Sequence, residues 1–295
     1  MQLIPVENGL RLTGVPDFDL AQTFTCGQAF RWRAQTPNCF TGVAGGHVLS
    51  ITNEGEGTFL LSGATKQEFH SFWKNYLSLD TDYGAIKQKL SRDSVLRRAI
   101  AFGSGIRILN QEPFECLLSF ILSQSNNIAR IAGIVDRFAR EFGHPVSFMG
   151  ETYYTFPTPR DLIGIELEDL APVRAGFRDK YLLHAIRRIQ SGDFSLERAR
   201  ELPTDPAREY LKTLRGVGDK VANCVLIFGL GHTDAFPVDV WIKRIMEHAY
   251  FDGQETARDE IAQKAAGMYG EYGGYAQQYL FYYARELGLG KENKS

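Results

Sequence analysis

The chain has 295 residues, 44% of them hydrophobic, enough for one large buried core or two modest ones in an ordinary globular protein. Its 33 Lys and Arg against 35 Asp and Glu leave a net charge of −2, which argues against nucleic-acid binding by bulk electrostatics and leaves any such contact to a local site. No apolar run approaches the roughly 20 residues that span a bilayer, and the opening Met1–Glu7 lacks a basic region followed by an apolar stretch, so a cytosolic protein is expected.

Cys26, Cys39, Cys116 and Cys224 are too widely spaced for a zinc site or a disulfide framework, and reduced thiols are expected.

In chain order, residues 30–62 alternate β-rich runs (Phe30–Arg33, Phe40–Val43, Val48–Thr52, Thr58–Leu61) with turn signals at Thr36–Asn38, Ala44–Gly46 and Asn53–Gly57. That pattern predicts an antiparallel meander. From about Thr65 the period becomes helical, through Phe69, Phe72, Trp73 and Tyr76, and continues over 83–102. Beyond 107 the chain reads as all helical, with segments at 112–124, 127–142, 179–190, 205–214, 220–229, 239–250, 255–269 and 273–287. There is no repeat or long polar linker, so the two parts are expected to pack together. Gly270–Gly274 and the Lys291–Ser295 tail look the most flexible. One concentration of basic residues stands out, Arg174, Arg178, Lys180, Arg187 and Arg188, a pattern that is more often a solvated helix face than a binding patch.

The segment Tyr210–Ala222 carries more information, because helix-forming residues flank a Gly216-Val217-Gly218 turn and a second helix opens at Asp219. Glycines let the backbone approach another molecule, and the unpaired N–H groups of a new helix suit a phosphate. A helix-hairpin-helix grip on DNA and an ordinary turn between helices both fit this stretch.

Lys220 falls in the first turn of that second helix, where the dipole disfavours a cation and burial lowers an amine's pKa, the conditions an amine nucleophile needs. On its own, such a lysine is more simply a solvated or phosphate-contacting one. Asp239 in Phe236-Pro237-Val238-Asp239-Val240-Trp241 immediately precedes another helical run and reads as its N-cap. The helix from Lys220 to Phe228 rises about 13 Å, and the ten-residue return to Asp239 spans that distance, so both can share one cleft. Cys224, four residues after Lys220, lies on the same helix face and reads first as a packing residue.

Gly216-Val217-Gly218-Asp219-Lys220-Val221-Ala222-Asn223-Cys224 followed by Pro237-Val238-Asp239 resembles the signature of helix-hairpin-helix DNA glycosylases, and within them the 8-oxoguanine DNA glycosylases. Matches extend to Cys26–Arg33, Ser119–Ile121, Asn126–Arg130, Gly274–Gln277 and Leu280-Phe281, covering nearly the whole chain. The resemblance implies an α+β N-terminal domain (1–106) with an antiparallel sheet like that of the TATA-binding protein. It is followed by a mainly α helix-hairpin-helix glycosylase domain (107–295) with the active site in its interlobe cleft. It also implies a bifunctional glycosylase and lyase acting on double-stranded DNA that contains 8-oxoguanine, as a monomer in the cytoplasm, at the nucleoid if prokaryotic.

In that family the target nucleotide is flipped into a pocket, the lysine (here Lys220) attacks C1′ and displaces the base, and elimination from the Schiff base nicks the strand 3′ to the site. Asp239 positions the lysine helix and offsets developing positive charge. Gly27 supplies the carbonyl that meets the lesion's N7 hydrogen, Phe281 and Gln277 stack on and bond the base, and Cys224 also lines the pocket. Phe177 is the wedge beside the opposite base, and Arg130 and Arg178 grasp the orphaned cytosine.

Gly216 and Gly218 meet the DNA backbone, and the carbonyls of Lys212, Leu214 and Val217 hold a monovalent sodium or potassium ion. No other cofactor is implied, and no cysteine follows Cys224 to complete the iron–sulfur cluster of endonuclease III-like relatives. The chain departs from the pattern at Ser125, where the family has the gap-filling asparagine, and at Trp241, where it has a phosphate-contacting histidine. Two rivals remain at this level: a non-catalytic hairpin DNA-binding protein, and a related glycosylase for adenine mispairs or alkylated purines.

Overall fold

A computed structural model describes residues 1–289; the tail at 291–295 lies outside the described residues. The N-terminal part is a six-stranded antiparallel sheet of β1 (Gln2–Val6), β2 (Gly9–Thr13), β3 (Trp32–Thr36), β4 (Cys39–Ala44), β5 (His47–Gly55) and β6 (Thr58–Ser62), in the order β1-β2-β6-β5-β4-β3. The four-strand meander is therefore extended by an N-terminal hairpin that the sequence reading did not anticipate. Its β1 is an edge strand with no fully buried residue and a proline inside it, so it lacks the apolar alternation by which strands are recognised.

One sheet face packs Leu10, Leu12, Phe40, Leu49, Ile51, Phe59 and Leu61 against Phe24 of the Leu20–Thr25 helix and against Phe69, Trp73 and Tyr76 of the helical run after the sheet. Trp32 anchors this layer, stacked on Phe24 with ring centroids 3.9 Å apart and donating from Nε1 to Tyr76 Oη at 2.9 Å. Gly42, opposite Trp32 in the ladder, leaves room for the indole, which a Cβ there would overlap.

The helices form two further cores. One gathers residues from Ile108 to Ala235, among them Phe120, Ile134, Phe138, Leu182, Leu211 and Cys224. The other unites the Tyr83–Leu90 and Ser94–Phe102 helices with Val240–Tyr250, Arg258–Tyr269 and Gly273–Glu286. The two helices after the sheet thus pack away from it, because their apolar faces (Ile86, Leu90, Leu96, Ile100) meet Ile242, Ile245, Tyr279 and Leu280 rather than strand residues.

Two expectations are corrected. The part beyond 107 is not all helical: Pro145–Phe148 and Glu151–Tyr154 pair as a hairpin, turned by Met149 (φ 49°) and Gly150 (φ 82°), the positive-φ pair that two-residue hairpin loops require. Gly270–Gly274 is held rather than loose, with a 3-10 turn over Gly270–Tyr272 and the Gly274 N–H donating to the Thr233 carbonyl at 2.7 Å.

Candidate active site

The hairpin forms where the glycines place it. The Thr204–Lys212 helix ends in a turn closed by Val217 N–H to the Leu214 carbonyl at 3.1 Å, and the Asp219–Val225 helix follows. Gly216 has φ +80°, and a Cβ there would overlap the Tyr181 ring. Gly218 is extended (φ −102°) and faces open space. Lys212 Nζ ties the two helices together by pairing with Glu209 at 3.0 Å and Asp219 at 2.8 Å.

Lys220 is half-buried in the first turn of the second helix. Its Nζ donates to Ser123 Oγ at 2.8 Å and sits 5.3 Å from the centroid of the Phe120 ring. Ser123 Oγ in turn donates to the Phe120 carbonyl at 2.7 Å, so the hydroxyl's remaining lone pairs face the amine. Asp239 caps the Val240–Tyr250 helix, its Oδ1 accepting from Trp241 N–H at 3.0 Å and Ile242 N–H at 2.9 Å.

Burial holds the Asp239 carboxyl above its usual range, against the pull of the Ile242 amide, the Lys220 charge and the Trp241 amide. Lys220 belongs to the first helical core's edge and Asp239 to the second's: Val221 and Cys224 pack in one, Val238 and Ile242 in the other. The pair therefore sits where the two lobes meet. Cys224 is buried, and its thiol is raised to about 11 by that burial, so it is a neutral neighbour of the amine.

A second cluster surrounds Gly27, whose φ of +84° only glycine adopts freely. A Cβ there would lie 3.0 Å from Ile128 Cδ1, 3.3 Å from Phe281 Cε1 and 3.4 Å from Arg285 Nη1, so the Gly27 turn packs directly against the Phe281 ring and the Arg285 guanidinium. Gln277, one turn before Phe281, is only 4% exposed, and its Oε1 is buried without a hydrogen-bond partner among the described residues. Buried amide oxygens are rarely left so, and one beside an aromatic platform suits a polar ligand edge.

On the outer rim, Phe177 is 56% exposed and so anchors no core; it meets Tyr181 edge-on at 6.0 Å, the ring that also abuts Gly216. Arg130 is exposed, and Trp241 is half-buried beneath the Arg244 guanidinium. Arg178 is only 3% exposed. Its Nε donates to the Gln124 carbonyl at 2.9 Å, Nη1 to Ala175 at 3.0 Å and Nη2 to Ser125 at 3.2 Å, so its donors are taken up by main chain. Those bonds brace the turn in which Ser125 adopts φ +46°. Ser123 and Arg285 are the residues that sequence reasoning missed; Ser123 is 97 positions from Lys220, and no local spacing connects the two.

Among the described residues no helix is long and apolar enough to cross a membrane. Residues 12–117 match the family profile for the 8-oxoguanine DNA glycosylase N-terminal domain, and residues 118–269 that of the HhH-GPD superfamily of base excision DNA repair proteins. The chain is 30% identical to the N-glycosylase/DNA lyase OGG1 of Arabidopsis thaliana over 92% of its own length and 78% of the relative's. It is similar to the solved structure of Clostridium acetobutylicum 8-oxoguanine glycosylase/lyase in complex with double-stranded DNA containing cytosine opposite 8-oxoG. That match has a TM-score of 0.95 and 37% identity, and it covers 98% of this chain and 99% of the other. The structure of MBOgg1 in complex with a low-affinity DNA ligand is 42% identical, with a TM-score of 0.94 and coverage of 97% and 99%.

Proposed function

The chain belongs to the HhH-GPD superfamily of base excision repair proteins, in its 8-oxoguanine glycosylase branch, and on that premise we propose that Lys220 is its nucleophile and Asp239 its electrostatic partner. The protein is a bifunctional DNA N-glycosylase and AP lyase of base excision repair. The observation that carries the residue assignment is that Lys220 and Asp239 lie within electrostatic reach of each other at the junction of two separate cores, the lysine amine held on Ser123 at 2.8 Å and the carboxylate fixed by its cap bonds.

The target base is stacked inside the duplex, so the nucleotide is flipped out against the Phe281 ring, beside the Gly27 turn. Phe281 stacks on the base, Gln277 bonds its Watson–Crick edge through the open Oε1, and the Gly27 carbonyl accepts the N7 hydrogen that guanine lacks. Ser123 orients the Lys220 amine, which gives up a proton before its lone pair attacks C1′. The new N–C1′ bond replaces the glycosidic bond, whose electrons leave with the base. The buried Asp239 carboxylate offsets the positive charge that develops on the sugar. The nitrogen lone pair then opens the sugar ring by breaking the C1′–O4′ bond, O4′ leaving with those electrons and taking up a proton, which gives the C1′=N Schiff base. Loss of a C2′ proton from it expels the 3′ phosphate and nicks the strand.

Gly218, open and extended at the helix start, faces the DNA backbone beside Gly216, and Phe177 is the wedge. Trp241 and Ser125 lie against the strand and the emptied stack. Arg130, the exposed guanidinium, leads recognition of the orphaned cytosine; Arg178, buried with its donors on the Gln124, Ser125 and Ala175 carbonyls, braces the Ser125 turn instead of reaching the base. A guanidinium offers only donors, matching the adjacent acceptors of cytosine rather than the donor beside N1 of adenine.

The hairpin carbonyls of Lys212, Leu214 and Val217 suit a monovalent cation, the Leu214 oxygen keeping one lone pair beyond its bond to Val217 N–H. The chemistry itself calls on no external cofactor. A chromosomal substrate fits a cytoplasmic protein, at the nucleoid if the source is prokaryotic. Duplexes carrying 8-oxoguanine opposite each of the four bases test the proposal: excision and nicking fastest opposite cytosine are expected, and an absence of excision opposite every base overturns it.

A further inference from the structure

The Thr25–Gly27 turn is bound to the C-terminal helix through successive carbonyls. Arg285 Nη2 donates to the Thr25 carbonyl at 2.9 Å, and Gln278 Nε2 donates to the Cys26 carbonyl at 3.1 Å. Among the described residues the next carbonyl, that of Gly27, accepts no hydrogen bond. The same guanidinium lies 5.4 Å from the Phe281 centroid, and Glu286 Oε1 fixes its plane by accepting from Nε at 2.9 Å and Nη2 at 2.6 Å. Its Nη1 is buried without a partner among the described residues and lies 3.4 Å from where a Cβ on Gly27 would be. Buried donors are rarely left unpaired, and one at this place has no structural return unless the neighbouring site uses the arrangement.

We propose that Arg285 is a positioning residue for lesion discrimination. It locks the Gly27 turn and the Phe281 ring into one unit, so that the single carbonyl left open is aimed at the base lying on that ring. The inference rests on the assignment of Gly27 and Phe281 to the flipped base. A carbonyl must sit within a few tenths of an ångström of its place to separate an N–H from a lone pair, because hydrogen bonds weaken steeply with angle. Turns that project a backbone group into a site need such bracing, and Arg285 provides it from a helix rather than from a loop.

Nicking of a preformed abasic site needs Lys220 but reads no base, so it separates this role from a general structural one. Single-turnover excision on an 8-oxoguanine:cytosine duplex and nicking of an abasic:cytosine duplex are measured for the wild-type protein, R285M, which keeps the apolar stem against Phe281, and R285K, which keeps the charge. The expected result for R285M is a loss of excision of about tenfold or more, with abasic nicking within about twofold of wild type, and partial recovery of excision in R285K. Equal losses in both activities, or undiminished excision in R285M, overturn the proposal. A wild-type protein that nicks the abasic duplex yet leaves 8-oxoguanine in place overturns the lesion reading itself, a failure visible before any variant is compared.

Discussion

Asp239 caps a helix and, on the proposed assignment, also serves the chemistry through the same carboxylate, and the two roles come apart by substitution. Both cap bonds fall on Oδ1, and an asparagine oxygen accepts the same two N–H groups, asparagine being as good an N-cap as aspartate. Asp239→Asn is therefore expected to keep the melting temperature within about 2 °C of wild type while slowing single-turnover excision by on the order of 100-fold, the range for losing one preorganised electrostatic group. A wild-type excision rate in that variant removes Asp239 from the chemistry.

The pH dependence has a definite sign. Burial raises the Asp239 carboxyl, so the folded protein holds that proton more tightly than the unfolded chain. The charged form costs stability at neutral pH, and the cost is relieved as pH falls through the raised value. Excision needs the charged form, so its acid limb is expected above the ordinary carboxylate range and is expected to vanish in Asp239→Asn; a limb unchanged by the substitution contradicts the assignment. Arg130→Ala is expected to narrow the preference for cytosine over adenine opposite the lesion by about tenfold, as loss of a bidentate base contact does, and equal slowing of both pairings rejects that role.

Lys220, Asp239 and Gly27 were legible in sequence because each belongs to a short contiguous pattern. Ser123 and Arg285 were not, because each acts through partners 97 and about 260 positions away. Arg178 shows the complementary limit: a pattern assigns a residue type to a position, and only packing reveals that its donors are turned to the Gln124, Ser125 and Ala175 carbonyls.

At the scale of elements, the two hairpin glycines make opposite demands. Gly216 combines positive φ with contact against Tyr181, so Gly216→Ala is expected to lower stability by about 1–3 kcal/mol. Gly218 has ordinary extended backbone and open space around it. Gly218→Ala is thus expected to leave the melting temperature in place and to weaken binding to undamaged duplex, because the added methyl stands between a helix start and a phosphate. Unchanged affinity in Gly218→Ala places the DNA elsewhere.

The helices around this turn were readable from period and punctuation, and the 179–190 segment falls where the pattern put it. Three of the four strands that escaped have side chains that find little to bury; the fourth, β2, alternates half-buried residues with buried Leu10 and Leu12 and escaped despite that pattern. β1 has no fully buried residue, and Pro145–Phe148 and Glu151–Tyr154 lie on the surface with none either, so neither carries a period-2 apolar signal.

For the whole molecule, a net charge of −2 leaves DNA binding, on the proposed assignment, to a rim of local features, the open Gly218 turn, exposed Phe177 and Arg130, around the proposed catalytic pair Lys220 and Asp239 between two cores. The division into sheet and helical parts was visible in the change of period along the chain, while the allegiance of the Tyr83–Phe102 helices to the C-terminal lobe was not, since an amphipathic pattern shows that a face is buried without showing against what. The decisive measurement is borohydride trapping on a duplex carrying 8-oxoguanine opposite cytosine, with wild-type protein and with Lys220→Gln. Wild-type protein is expected to form a covalent adduct with the DNA, and Lys220→Gln, one atom shorter and polar but without a nucleophilic amine, is expected to bind the same duplex and form none. An adduct of equal yield in Lys220→Gln would contradict the assignment of Lys220 as the nucleophile.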